Sequence, residues 1–145
     1  MHEHYIPHGY VHINQDILQT RQKCIHLCTQ SIQLNQSVVI DRTHATMEQR
    51  AYFITLAKQY NIYCKIIELR TPVGIARRLN AVRSIIGSTY QINKRIVPDA
   101  AFYRYMQQYE SPDQQTEQVN EHIVIPFVPK FNEREIELFD TVQVK

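Results

Sequence analysis

The chain has 145 residues, 43% of them hydrophobic and 21% charged, with a formal net charge of +2. That size suits one domain, and that balance excludes a disordered tail, a polybasic nucleic-acid arm and a membrane-spanning apolar run. Its three glycines, Gly9, Gly74 and Gly87, each stand alone. No phosphate loop, dinucleotide GxGxxG or GxSxG elbow can therefore be written from these residues.

Residues 1–8 read as a flexible segment without the basic head and apolar stretch of a signal peptide. Tyr10 to Asn14 alternates apolar and polar residues as a short strand. Asp16 is then placed to cap a helix from about Ile17 to Leu34, whose stripe is Ile17, Cys24, Ile25, Cys28 and Ile32. Asn35 tolerates the left-handed conformation that ends it. Ser37 to Asp41 is a continuous apolar run closing on a carboxylate, as in a strand buried on both faces of a parallel sheet.

Thr46 with Gln49 fits a capping box for a helix through Tyr60, and Asn61 ends it. Tyr63 to Leu69 reads as a third strand. Thr71-Pro72 starts a helix carrying Arg77, Arg78 and Arg83 that stops near Gly87. A polar loop to Val97 and a helix from Pro98 to Tyr109 follow, broken by Ser111-Pro112-Asp113. His122 to Val128 is a fourth strand, near an edge because Pro126 cannot donate to a ladder. Residues 130–145 read as a polar extension, strand or helix. The alternation predicts an α/β fold with a mostly parallel sheet.

In such sheets ligands bind beyond the carboxyl ends of the strands. Asp16 and Asp41 both stand at strand exits, where a carboxylate can accept a hydroxyl proton, hold a magnesium-bound water or orient a basic group. Spacing alone equally allows both to be helix caps. Arg77 and Arg83 stand on different sides of one helix and suit a phosphoryl group, or a solvated face. Three cysteines without a Cys-x-x-Cys pair indicate buried thiols in a reducing compartment. His2, His4 and His8 lie too near a terminus to make a metal site, and no metal ligands are assigned.

Gly9 to Asp16, Gln22-Lys23-Cys24, Val38 to Thr43, Ala76-Arg77 with Asn80 and Arg83, Val97-Pro98-Asp99 and Ile123 to Phe127 resemble, in order and at nearly constant spacing, the kinase domain of eukaryotic polynucleotide kinase 3′-phosphatase. The resemblance covers roughly Gly9 to Phe127, within a partial domain expected over 9–129, and implies a P-loop-kinase-like three-layer fold. It also implies γ-phosphoryl transfer from ATP, with Mg2+, to the 5′-hydroxyl of a nucleic-acid end, with DNA ends as the expected partner in DNA end repair, in the nucleus. It makes Asp16 the general base, puts Asn14, Asp41 and Thr43 beside the substrate strand, and makes Arg77 and Arg83 lid residues on ATP phosphates. An upstream 3′-phosphatase domain would accompany it in a full-length protein.

Three positions depart from that family: Arg42 replaces an asparagine, Ala81 a lid arginine, and Gln15 an arginine beside the base. The larger departure is the family's first strand and Gly-rich loop, missing from these residues. ATP and Mg2+ binding is accordingly not expected of this chain alone, which reads as a truncated, kinase-dead copy. A non-catalytic remnant that binds nucleic-acid ends or a partner is the alternative. With a central strand missing, its neighbours are expected to leave edges unpaired.

Overall fold

A computed structural model describes residues 5–89, 96–128 and 133–141; His2, His4 and most of the polar loop after Gly87 lie outside them. The chain divides into two compact units, Met1–Ile66 with Glu110–Glu121, and Ile67–Tyr109 with His122–Lys145. No helix among the described residues is long and apolar enough to cross a membrane.

In the first unit a single 3-10 turn, Ile6–His8, closes on Gly9 at φ 79°, where the N–H bonds back to Ile6 O. A side chain would be strained at that dihedral. Strand β1 (Val11–Asn14) and strand β2 (Val38–Asp41) pair in parallel, with Asn14 opposite Asp41 at their carboxyl ends. The single helix expected from Ile17 is two. A four-residue α1 (Gln15–Leu18) is capped by Asn14, and α2 (Arg21–Gln33) by Thr20, with Gln19 between them at φ 69°.

The cap expected of Asp16 thus belongs to Asn14, whose Oδ1 accepts the Asp16 and Ile17 N–H groups at 2.7 and 3.2 Å. The break also explains Ile17, which lies 74% exposed because α1 does not continue the α2 stripe. Asn35, at φ 56°, follows α2 as expected. Helix α3 (Met47–Gln59) opens on Thr46, whose Oγ1 accepts Gln49 N–H, while Gln49 Oε1 accepts from Ala45 N–H. Ile13, Cys24, Cys28, Ile32 and Phe53 form the core of this unit. Burying side chains such as Ile13 contributes roughly 1.5–3 kcal/mol each. β2 is less enclosed than expected: only Val39 is buried, because β2 carries a single neighbour strand.

Helix α3 is fastened to a short helix that the sequence reading missed. Beyond Ser111-Pro112, Asp113 caps Gln114–Glu117, whose Glu117 receives Arg50 Nε at 2.9 Å and Nη2 at 2.8 Å. Both side chains are buried, and Arg50 Nη1 also donates to His44 O. The helices of the second unit are α4 (Val73–Thr89), α5 (Asp99–Gln108) and, beyond the short helix in chain order, α7 (Glu133–Thr141), with the Gln114–Glu117 helix numbered α6. Residues 133–141 of the C-terminal extension are therefore helical. Strands β3 (Lys65–Arg70) and β4 (Glu121–Pro126) form a second two-stranded sheet. The expected parallel sheet is thus divided among the described residues into two pairs, each strand with one unladdered edge.

Candidate functional site

β1 and β2 deliver their last residues side by side, so polar groups meet where the strands end. Asn14 Nδ2 donates to Asp41 Oδ2 at 3.1 Å, and His12 Nε2 lies 3.1 Å from the same oxygen. Because side chains alternate along a strand, His12 and Asn14 share one face of β1 and reach the neighbouring carboxylate together. Ile13 points the other way into the core, fully buried. Polar residues at alternate positions around an apolar one are the pattern that could have singled out His12.

Asn14 uses both ends of its amide. The Nδ2 side holds Asp41, and the Oδ1 side caps α1. Asp16, the second residue of that helix, is exposed, so its carboxylate is available to a group approaching the strand ends. An acidic side chain in a first helical turn is stabilised by the helix dipole. Thr43 is also exposed, two residues beyond Asp41. The structure thus gathers Asn14 and Asp41 by direct contact and sets Asp16 and Thr43 on the segments that leave the same strand ends.

Arg42 and His44 flank Thr43. The His44 ring packs 5.4 Å from Phe53, and its Nε2 is buried without a hydrogen-bond partner. Burial first, then the Arg42 and Arg50 charges, push its pKa down to about 4. The imidazole is neutral at pH 7. Cys28, in the core, is driven up to about 11 by burial and is inert as a thiolate.

In the second unit the two lid candidates differ. Arg77 is largely buried, ion-paired with Asp99 at 3.4 Å, and lies 5.7 Å over the Tyr103 ring. Arg83 is exposed. Between them, Asn80 exchanges two hydrogen bonds with the Val97 backbone, at 2.8 and 3.0 Å, pinning the residue before Pro98 to α4. Sequence reading also missed Glu68. Burial raises this carboxyl, but bonds from Arg70 and Tyr109 outweigh that and hold it below its usual value, with His122 as a further partner at 3.0 Å. Its ligands are all side chains of its own unit, which makes it a structural hub.

A family model described as an AAA domain matches residues 14–112. Over 107 residues the chain is 33% identical to a bifunctional polynucleotide phosphatase/kinase of Schizosaccharomyces pombe, covering 74% of this chain and 25% of the relative. Over 84 residues it is 39% identical to an Acanthamoeba polyphaga mimivirus protein named for the same two activities, covering 57% of this chain and 20% of the relative. The chain spans about a quarter or less of the length of these curated relatives.

Proposed function

The chain belongs to the AAA-domain family and is a polynucleotide-kinase-like α/β domain, and from that premise we propose that it forms the acceptor side of a polynucleotide 5′-hydroxyl kinase. Residues 9–129 make up this part, flanked by 1–8 and 130–145. The reading is supported above all by the Asn14–Asp41 bond at the matched ends of β1 and β2, which sets α1 and so presents the exposed Asp16.

In this reading Asp16 accepts the proton of the 5′-hydroxyl as its oxygen turns nucleophilic toward a phosphoryl group. Asn14 acts through Asp16: it holds α1 at the strand end and bonds Asp41 beside it. Asp41 and Thr43 line the path of the acceptor strand, and His12 fixes the rotamer of Asp41. Arg77 and Arg83 are the candidates for contacts to donor phosphates, with Asp99 holding Arg77 until a phosphate competes for it. The work of such a kinase is the repair of DNA ends in the nucleus.

P-loop-kinase-like proteins use a nucleotide and Mg2+, and the residues here do not fit that role by themselves. A triphosphate cradle needs successive backbone N–H groups and a lysine. Gly9 instead turns a surface 3-10 segment with open space around it, and Gly74 lies within α4. No catalytic step is therefore assigned to a nucleotide on this chain. A second reading is an end-binding module that keeps the acceptor site without transfer.

Fluorescence anisotropy with a labelled, single-stranded 5′-hydroxyl oligonucleotide tests the common ground of both readings. The chain should bind it, with affinity falling as salt rises. No binding at low salt contradicts both. Transfer of labelled phosphate by a protein carrying this chain together with a phosphate loop separates the kinase from the module.

A further inference from the structure

Two arginines in the first unit have no carboxylate to neutralise them among the described residues. Arg21, the first residue of α2, lies with its guanidinium 4.1 Å from the centroid of Tyr52. Arg42, the residue after β2, lies 6.0 Å from the centroid of Phe53, the next residue of α3. Among the described residues neither forms an ion pair, and Glu48, beside Tyr52, accepts the tyrosine hydroxyl instead.

The arrangement is electrostatically unfavourable as it stands. Burial depresses Arg42 first, the Cys24 sulfur opposes that, and the Arg21 charge depresses it further, so the two guanidinium groups act on each other. Arg21 also stands at the amino end of α2, where the helix dipole is positive. Arg42 Nη1 is buried with no hydrogen-bond partner. A buried, unpaired guanidinium N–H is costly, and proteins seldom leave one without a purpose. Among the described residues Arg42 meets the Phe53 ring at the outer limit of a cation–π interaction. A change of rotamer frees its edge at little loss.

Both residues stand on the segments that leave the carboxyl ends of β1 and β2, as Asp16 and Thr43 do. An anion arriving there would relieve the repulsion, satisfy the unpaired N–H and be gripped by planar donors that match phosphate geometry. We propose that Arg21 and Arg42 form a clamp for an internucleotide phosphodiester of the acceptor strand, distinct from the phosphoryl donor's contacts. The clamp rests on the acceptor-side reading above and adds to it a grip on the polymer backbone. A mononucleoside lacks that phosphodiester, so the clamp selects polynucleotide ends over free nucleosides.

The test is anisotropy binding of a short 5′-hydroxyl oligonucleotide by the full chain, wild type against the Arg21→Gln/Arg42→Gln double variant, across a salt series. The double variant should bind about tenfold or more weakly. Its log affinity against log salt should be shallower by about 0.7 to 1.4, for one or two lost phosphate contacts. Arg42→Lys should fall between the two. A scan of neutral methylphosphonate linkages should weaken the wild type at one or two linkages near the 5′ end. If the double variant does not fold, the scan alone decides between a clamp and none. Unchanged affinity and slope in a folded double variant, or a scan without any sensitive linkage, overturns the clamp while leaving the acceptor reading standing. Failure of the wild type to bind overturns both.

Discussion

His44 carries a charge-state signature that can be read from outside. Its folded pKa of about 4 lies below the usual 6.5. Between those values the unfolded chain binds a proton that the fold refuses, so stability is fully present above pH 6.5 and is lost as pH falls toward 4. The loss amounts to about 3 kcal/mol at most. Thermal midpoints should therefore fall more steeply over this window in the wild type than in His44→Gln; parallel curves would contradict the buried, neutral imidazole. Arg50 and Glu117 make a different case, a buried pair joined by three bonds no longer than 3.1 Å. Removing one partner strands the other charge, and Glu117→Gln should lower urea stability by about 3–5 kcal/mol. A loss under about 1 kcal/mol would show that water reaches the pair. Neither pair nor imidazole was legible in the sequence, since Arg50 and Glu117 lie 67 positions apart and only tertiary packing joins them.

At the scale of elements, the reading of α3 and of the Asn35 and Asn61 helix ends succeeded because caps and left-handed residues are local signals. The same method merged α1 and α2. Gln19 carries no breaker chemistry, yet adopts φ 69°, and Thr20 opens the second helix. Tertiary demand at the end of β1, where Asn14 serves both Asp41 and α1, overrides the helical stripe there. A residue other than glycine is strained at that dihedral, so Gln19→Gly should stabilise the fold by about 1 kcal/mol in chemical denaturation. Destabilisation of that size would mean that the α1–α2 break is not a fixed feature. The candidate site was half legible. Strand exits ending in carboxylates pointed to Asp16 and Asp41 as candidates, but the bridging of Asn14 and His12 depends on the β1–β2 register.

On the scale of the whole molecule, the proposed acceptor site stands in a sequence whose three isolated glycines write no Gly-rich phosphate loop. Millimolar ATP with Mg2+ should accordingly leave its thermal midpoint unchanged, because only a ligand that binds the fold stabilises it. A rise of several degrees would reveal a nucleotide site built without a glycine-rich loop. The kinase reading depends on Asp16 as the group that deprotonates the 5′-hydroxyl. The decisive measurement is phosphate transfer to a 5′-hydroxyl oligonucleotide by a protein carrying this chain with a phosphate loop, comparing wild type with Asp16→Asn. The rate should drop by about 10²–10⁴ with oligonucleotide binding retained; transfer at an unaltered rate would contradict that role for Asp16.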